Sequence, residues 1–151
     1  KPPPLVKRQF RLEVGERLNF KGEVLKPLNK ADVDRAVQYV LDNGVESVAV
    51  CLLHSYANPE HEQYIAQVLA EKAPGVNLTI SSELLPEMKE YERTSTTVIN
   101  CYVRPVVETY LTQLTDGLTE MGVQVPLTVM QSNGGVMTAE AAMRITDELG
   151  T

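Results

Sequence analysis

The chain has 151 residues, of which 43% are hydrophobic, and it carries a net charge of −6. This length gives one domain, or one domain with an appendage, whose core can bury roughly two-thirds of the surface that the unfolded chain exposes. The negative charge argues against nucleic acid or an anionic membrane as the main partner, and no apolar run is long enough to span a bilayer.

Cysteine usage and the N-terminus indicate the setting of the chain. Cys51 and Cys101 are separated by 50 residues, and we expect both to be free buried thiols in a reducing, cytoplasmic compartment. The first residue is Lys1 rather than Met. We therefore expect that a segment precedes the chain in a longer protein or has been cut away.

The first part of the chain is predicted to be a β-ribbon followed by a helix. Apolar and charged residues alternate from Phe10 to Val14, and Lys21-Gly22 offers a turn, so residues 9–28 are assigned to the ribbon. The helix begins after Asn29, which is a good N-cap, and Gly44 follows its last turn.

A strand, a helix and a second strand follow. The apolar run Val45–Leu53 is typical of a strand that is buried on both faces. Asn58 is predicted to cap the next helix, which stops before Gly75. Apolar and polar residues then alternate over Val76–Ile80, which indicates another strand.

The longest helix is predicted to start after Pro86 and to close at Gly122. Its apolar residues recur at three- and four-residue spacing and include Tyr102 and Tyr110, which we expect in the core. Pro105 lies inside this helix and should kink it, because it lacks a backbone N–H.

The last part of the chain is predicted to contain a strand, a Gly-Gly loop and a short helix. The strand is Val125–Met130, and the helix covers residues 138–149 with Thr138 as its N-cap. Helices that alternate with strands predict an α/β fold with a mainly parallel sheet.

We divide the chain into three parts on this pattern. Residues 1–28 form the β-ribbon appendage, residues 29–122 form the α/β core that ends in the long kinked helix, and residues 123–151 begin the next lobe.

Histidine is a first candidate for a functional side chain. His54 ends a buried strand, and strand C-termini are where α/β proteins place ligands. The alternative is a histidine that is satisfied by nearby backbone. His61 lies in the first turn of a helix, where we expect it to be exposed to solvent.

A second candidate is the segment from Arg93 to Thr97, which includes Thr94 and Ser95. Four consecutive hydroxyl residues after an arginine indicate a helix entrance, where free N–H groups and a guanidinium can bind a carboxylate or phosphate. The alternative is a capping box with a salt bridge from Arg93 to Glu90 or Glu92.

The third candidate is the loop Asn133-Gly134-Gly135. Glycine lets a ligand approach the backbone closely, but Asn-Gly is also a strong hairpin-turn signal, so both interpretations stay open. No metal-binding motif occurs in the sequence, and we assign no general acid or base.

Three stretches resemble the hydantoinase A / oxoprolinase family: Val48–Pro59, Glu83–Pro105 and Val129–Gly135. The resemblance runs from about Pro2 to Arg144. It implies an ATP-dependent hydrolase that activates a ring carbonyl with ATP and hydrolyses a cyclic amide such as a hydantoin or oxoproline. Related members are ketone carboxylases.

The resemblance also implies a partial actin-like fold, similar to sugar kinases and acetate kinase. ATP with Mg²⁺ is the expected cofactor of the parent protein, and a B-type hydantoinase subunit or domain is the expected partner. The family's Asp-x-Gly-Gly-Thr and Ser-Gly-Pro-Ala segments do not occur in these 151 residues. We therefore expect no ATP binding or turnover by this chain alone.

The resemblance implies that this chain supplies scaffold and one wall of the cleft, through His54, Arg93 and the Asn133-Gly134-Gly135 loop. On that basis Arg93→Ala should lower turnover with little change in melting temperature. The competing hypothesis is a self-standing, non-catalytic α/β binding or interaction module.

Overall fold

The computed structural model describes residues 4–123, 125–130 and 134–144. The chain divides into two compact units, Lys1–Val98 and Ile99–Thr151. The predicted division after residues 28 and 122 stays a prediction.

The N-terminal ribbon is shorter than predicted. β1 (Arg17–Leu18) pairs with β2 (Val24–Lys26) in an antiparallel ladder, and Gly22 takes a left-handed φ of 82° in the turn between them. The alternating segment that starts at Phe10 is not a strand. A 3-10 turn covers Arg8–Phe10, and within the described residues no strand pairs with residues 11–16, so the alternation there has no ladder to join.

Helix α1 (Lys30–Asp42) confirms both predicted end signals. The Asn29 side chain accepts hydrogen bonds from the backbone N–H groups of Ala31 and Asp32. At the other end Gly44 has a φ of 57°, and the N–H of Val45 reaches back to the carbonyl oxygen of Val40.

The core of the first unit is built on a β-α-β arrangement. β3 (Ser47–Val50) and β4 (Asn77–Ile80) form a parallel pair joined by α2 (Glu60–Lys72), with Ser47 opposite Asn77. Apolar side chains of α1 and α2 pack with this pair, and each is worth about 1.5–3 kcal/mol when buried. The buried cluster consists of Val33, Val37, Val50, Ile65, Val68, Leu69 and Ile80.

Strand β3 is shorter than its apolar run predicts, and side chains bond to the backbone beyond its end. The predicted strand reached Leu53, but the ladder stops at Val50. Beyond that point the N–H of Leu52 donates to Glu62 and its carbonyl oxygen accepts from Arg93, so side chains replace the neighbouring strand as hydrogen-bond partners. The N-cap of α2 is Pro59, one residue later than predicted, and the Oδ1 of the preceding Asn58 accepts from the N–H of Glu60.

A one-turn helix, α3 (Ser81–Leu84), precedes the long helix α4 (Glu90–Glu120). α4 begins before Arg93, so the hydroxyl-rich segment lies within its first two turns. There the Thr97 hydroxyl donates to the carbonyl oxygen of Arg93. The helix continues through Pro105, and Gly122, with a φ of 82°, follows its end as predicted.

The second unit contains an antiparallel pair in place of a further parallel strand. β5 (Thr128–Met130) pairs with β6 (Val136–Thr138), and α5 (Ala139–Arg144) follows, capped by Thr138. A short connection lets neighbouring strands pair antiparallel, whereas a parallel pair needs a long crossover. The described residues thus form a mixed α/β fold with three two-stranded sheets, of which one is parallel, and the expected mainly parallel sheet is absent from them.

The tyrosines of α4 contradict their predicted place in the core. Tyr102 and Tyr110 are 70% and 62% exposed, and Ile99 and Val106 on the same face of the helix are exposed as well. The apolar stripe is wider than the surface that the described residues cover, so one side of it faces solvent. Among the described residues, no helix combines the length and the apolar character that crossing a membrane requires.

Candidate functional site

The most polar part of the core lies where β3 and β4 end. The last paired residues of the two strands are Val50 and Ile80. The segments that follow approach each other, and the Oγ atoms of Ser55 and Ser81 lie 3.1 Å apart. This edge is the one at which parallel α/β sheets place ligands.

Glu62 holds the two strand ends together. Its side chain is fully buried, and its Oε1 accepts from the Leu52 N–H at 2.8 Å and from the Ser81 hydroxyl at 2.7 Å. Its Oε2 accepts from the Ser82 N–H at 2.8 Å. Because Ser81 gives its hydrogen to the carboxylate, Ser55 must be the donor in the Ser55–Ser81 bond.

Arg93 is 1% exposed and bonds to backbone rather than to a carboxylate. Its Nη2 donates to the Leu52 carbonyl oxygen at 2.7 Å and its Nη1 to the Glu87 carbonyl oxygen at 2.9 Å. The alternative of a salt bridge to Glu90 or Glu92 is therefore wrong. The Nε atom of Arg93 is buried and has no hydrogen-bond partner among the described residues.

His54 has a left-handed backbone, with a φ of 58°, and its side chain is half-buried. A non-glycine residue in this region marks a constrained position. The Tyr56 hydroxyl lies 3.4 Å from His54 Nδ1, and the two rings make an edge contact at 5.9 Å. The Arg93 Cζ lies 5.6 Å from the Tyr56 ring centre, so Tyr56 connects the two predicted site residues.

Cys51 is a neutral thiol at the edge of this network. Burial raises the pKa of Cys51 to about 11, the nearby Glu62 carboxylate adds to the rise, and a hydrogen bond with Thr97 opposes it. A protonated thiol is a poor nucleophile and a poor metal ligand. Cys51 is therefore suited to packing rather than to covalent chemistry.

The remaining predicted site residues lie in different places. Thr94 and Ser95 are half-buried in the first turns of α4, and Gly134 and Gly135 belong to the second unit, where they precede β6. Gly134 has a φ of 87°, and β5 and β6 are the antiparallel strands that the hairpin interpretation of this loop requires. Asn133 lies outside the described residues.

The prediction that His61 is exposed to solvent is wrong. It is 9% exposed, and its Nδ1 lies 2.8 Å from Oε2 of Glu16 in the N-terminal segment. This partner is 45 residues away in the sequence. Only the fold can show that such distant residues meet.

The sequence reasoning missed Glu62, Ser55 and Ser81. One signal was available for Glu62, because it lies one helical turn before Ile65 on the buried face of α2 and a lone carboxylate there needs partners. Within the part of the chain that the structure describes, no group of three His, Cys, Asp or Glu side chains is placed to hold a metal ion. The arrangement is thus a buried polar network that supports a half-exposed histidine.

Two protein-family models match the chain. The model described as the hydantoinase/oxoprolinase N-terminal region matches residues 2–73, and the model described as hydantoinase/oxoprolinase matches residues 93–148.

Individual relatives match over most of the chain. An uncharacterised protein of Methanocaldococcus jannaschii is 40% identical over 94% of the chain, and the caprolactamase alpha subunit of Pseudomonas jessenii is 36% identical over 87% of it. The matched regions make up 21% and 19% of these two proteins. The chain thus spans about a fifth of the length of these curated relatives.

Two solved structures share the fold. The crystal structure of the ATP-dependent caprolactamase from Pseudomonas jessenii matches 98% of the chain with a TM-score of 0.88 and 33% identity, over 22% of its own length. A nucleotide-free acetone carboxylase structure matches 98% of the chain with a TM-score of 0.85 and 26% identity, over 21% of its own length.

Proposed function

Because the chain belongs to the hydantoinase/oxoprolinase family, we propose that its full-length protein is an ATP-dependent enzyme that hydrolyses a cyclic amide. The observation that carries this proposal is the likeness to the ATP-dependent caprolactamase, at 33% identity and a TM-score of 0.88 over 98% of the chain. Hydantoins and oxoproline are the other cyclic amides that we propose as candidate substrates.

We propose that the full-length protein has an actin-like fold and uses ATP with Mg²⁺. Within the described residues no group of three His, Cys, Asp or Glu side chains is placed to hold a metal ion. We therefore assign ATP and its metal ion to other parts of the full-length protein, and we assign no step of the reaction to them here.

Our proposed role for this chain is to position a substrate-contacting histidine. His54 follows β3 at the edge where α/β folds place ligands, and it is half-buried in a constrained backbone. Its imidazole can donate or accept one hydrogen bond to a ring amide. Thr94, Ser95 and the Asn133-Gly134-Gly135 loop remain proposed contacts with substrate or phosphate.

We also propose a partner subunit of the B-type. Relatives of this chain are named as subunits, such as the caprolactamase alpha subunit and the acetone carboxylase beta subunit of Xanthobacter autotrophicus. These names support a multi-subunit enzyme, in which this chain is part of one subunit.

A second candidate is the carboxylation of a ketone. It is favoured by the likeness to acetone carboxylase, which has a TM-score of 0.85 but a lower identity of 26%. The two candidates differ in their products, because one reaction adds water to a ring amide and the other joins bicarbonate to a ketone.

The test is a substrate panel for the full-length protein with its partner subunit. Hydantoin, oxoproline and caprolactam, and in parallel acetone with bicarbonate, are each supplied with ATP, and both phosphate release and product are measured. Ring opening that depends on ATP would support the first candidate, whereas carboxylation would replace it with the second. Neither phosphate release nor product with any member of the panel would favour the non-catalytic module.

The role of His54 has its own variant. His54→Asn keeps a residue that tolerates the left-handed backbone but removes the imidazole. Turnover should fall about 100-fold or more if the imidazole takes part in proton transfer, while the melting temperature stays close to that of the wild type. An unchanged rate would remove His54 from the site.

A further inference from the structure

Two buried charges of opposite sign bond to the backbone of the same residue, Leu52, from its two sides. Glu62 and Arg93 are both almost completely buried, yet within the described residues they form no direct ion pair. Leu52 lies between them, because its N–H donates to the Glu62 carboxylate at 2.8 Å and its carbonyl oxygen accepts from Arg93 at 2.7 Å.

Arg93 also contacts the other side of the His54 segment. Its guanidinium binds Leu52, two residues before His54, and lies over the ring of Tyr56, two residues after it. The Arg93 side chain thus contacts residues on both sides of His54, whose backbone is left-handed. The planar guanidinium suits this task, since it donates in its plane and stacks on its face.

Glu62 extends the same restraint to the second strand. Its carboxylate accepts from Leu52 after β3 and from Ser81 and Ser82 after β4. Ser81 in turn accepts from Ser55, which follows His54. The segment 52–56 is therefore fixed by charge-assisted bonds at its start and by a hydroxyl bond next to His54.

We propose that Glu62 and Arg93 are a pair of positioning residues that fix the backbone around His54 through the N–H and the carbonyl oxygen of Leu52. The effect of this positioning on turnover rests on the proposed function, whereas the positioning of the His54 backbone is a property of the fold alone. A purely structural role for the pair would stabilise the β3-α2-β4 arrangement without controlling where the His54 ring lies.

The first measurement follows the histidine rings directly. In the 151-residue chain with labelled histidine, the Cε1–H signals of His54 and His61 are recorded by NMR for Glu62→Gln and Arg93→Lys, and His54→Asn assigns the peaks. Glutamine places an N–H₂ group where the carboxylate accepted hydrogen bonds, and lysine cannot bind Leu52 and cover Tyr56 together.

We expect both variants to move or broaden the His54 signal while the His61 signal keeps its position. Lys72→Gln is the matched control, because Lys72 lies on the same helix as Glu62 in an exposed pair with Asp34 and should leave both signals in place. A His54 signal that stays at its wild-type position in both folded variants would overturn the proposal.

A milder substitution tests the same proposal if Glu62→Gln and Arg93→Lys do not fold. If both charge variants fail to fold, Ser55→Ala removes one hydroxyl bond beside His54 and keeps both charges. The same displacement of the His54 signal is then expected, and an unmoved signal would again overturn the positioning role.

The second measurement is turnover by the full-length protein. A misplacement of about 1 Å can lower kcat by about 100-fold, so we expect Arg93→Lys to lower kcat by that order with KM changed by less than about threefold. If the His54 signal moves but even the wild type turns over no cyclic amide, the proposed function fails and the positioning role stands. If the His54 signal moves but kcat is unchanged, the position of His54 does not affect turnover.

Discussion

Replacing Arg93 by alanine tests the interpretation of the site most directly. If Arg93 faced a ligand, Arg93→Ala would lower turnover and leave the melting temperature almost unchanged. The guanidinium is instead 1% exposed and donates to the carbonyl oxygens of Leu52 and Glu87. Its removal must therefore lower the stability of the fold.

The magnitude follows from the hydrogen bonds that are lost. Two hydrogen bonds with a charged donor disappear, each worth about 1.5–3 kcal/mol, so the total loss is about 3–6 kcal/mol. In a protein of this size that corresponds to a fall in melting temperature of roughly 6–24 °C.

Urea denaturation followed by circular dichroism measures this loss, with Arg35→Ala as the matched control. The exposed Arg35 side chain pairs with the partly buried Asp32 one turn away on α1, and pairs at the surface contribute about 0–1 kcal/mol. An Arg93→Ala chain as stable as the Arg35→Ala chain, within 1 kcal/mol, would refute the view that Arg93 is a buried structural clamp.

Two further variants test the core and the thiol. Ile65→Ala should destabilise the chain by about 2–5 kcal/mol in urea denaturation, because it leaves a cavity in the buried cluster. Ile99→Ala, on the exposed face of α4, should cost less than about 1 kcal/mol. Equal losses in the two variants would contradict the assignment of Ile65 to the core. The pKa of Cys51 is raised from 9.0 to about 11, so the stabilisation from its neutral thiol is fully present below pH 9 and is lost as the pH rises through 11. The free energy of unfolding should fall by about 3 kcal/mol over this pH range in the wild-type chain and should not show this fall in Cys51→Ala. The same pH dependence of stability in the wild type and in Cys51→Ala would argue against a buried neutral thiol.

Local signals in the sequence predicted the helices well. Asn29, Gly44 and Gly122 act at helix ends through bonds to residues at most five positions away, so their roles depend on neighbouring residues that are visible in the sequence. The same holds for Thr138 at the start of α5.

Strand pairing was predicted less well. The apolar run Val45–Leu53 was assigned to one long strand, but the ladder ends at Val50. Periodicity describes which face of a segment is buried and not which group accepts its hydrogen bonds. The same limit explains why Phe10–Val14 alternates without forming a strand, and why β5 pairs with β6.

By itself, the sequence determined the family and the mixed α/β composition, because motifs, capping and hydrophobic spacing are local properties, whereas His54, predicted to end a strand, lies in the turn after β3. Only the tertiary structure decided that Glu62 and Arg93 both bond to the backbone of Leu52, since they lie 10 and 41 positions from it along the chain. Whether a charged side chain binds a ligand, a carboxylate or a carbonyl group depends on which distant groups the fold brings next to it. For Arg93 those groups are the carbonyl oxygens of Leu52 and Glu87 rather than the carboxylates of Glu90 or Glu92.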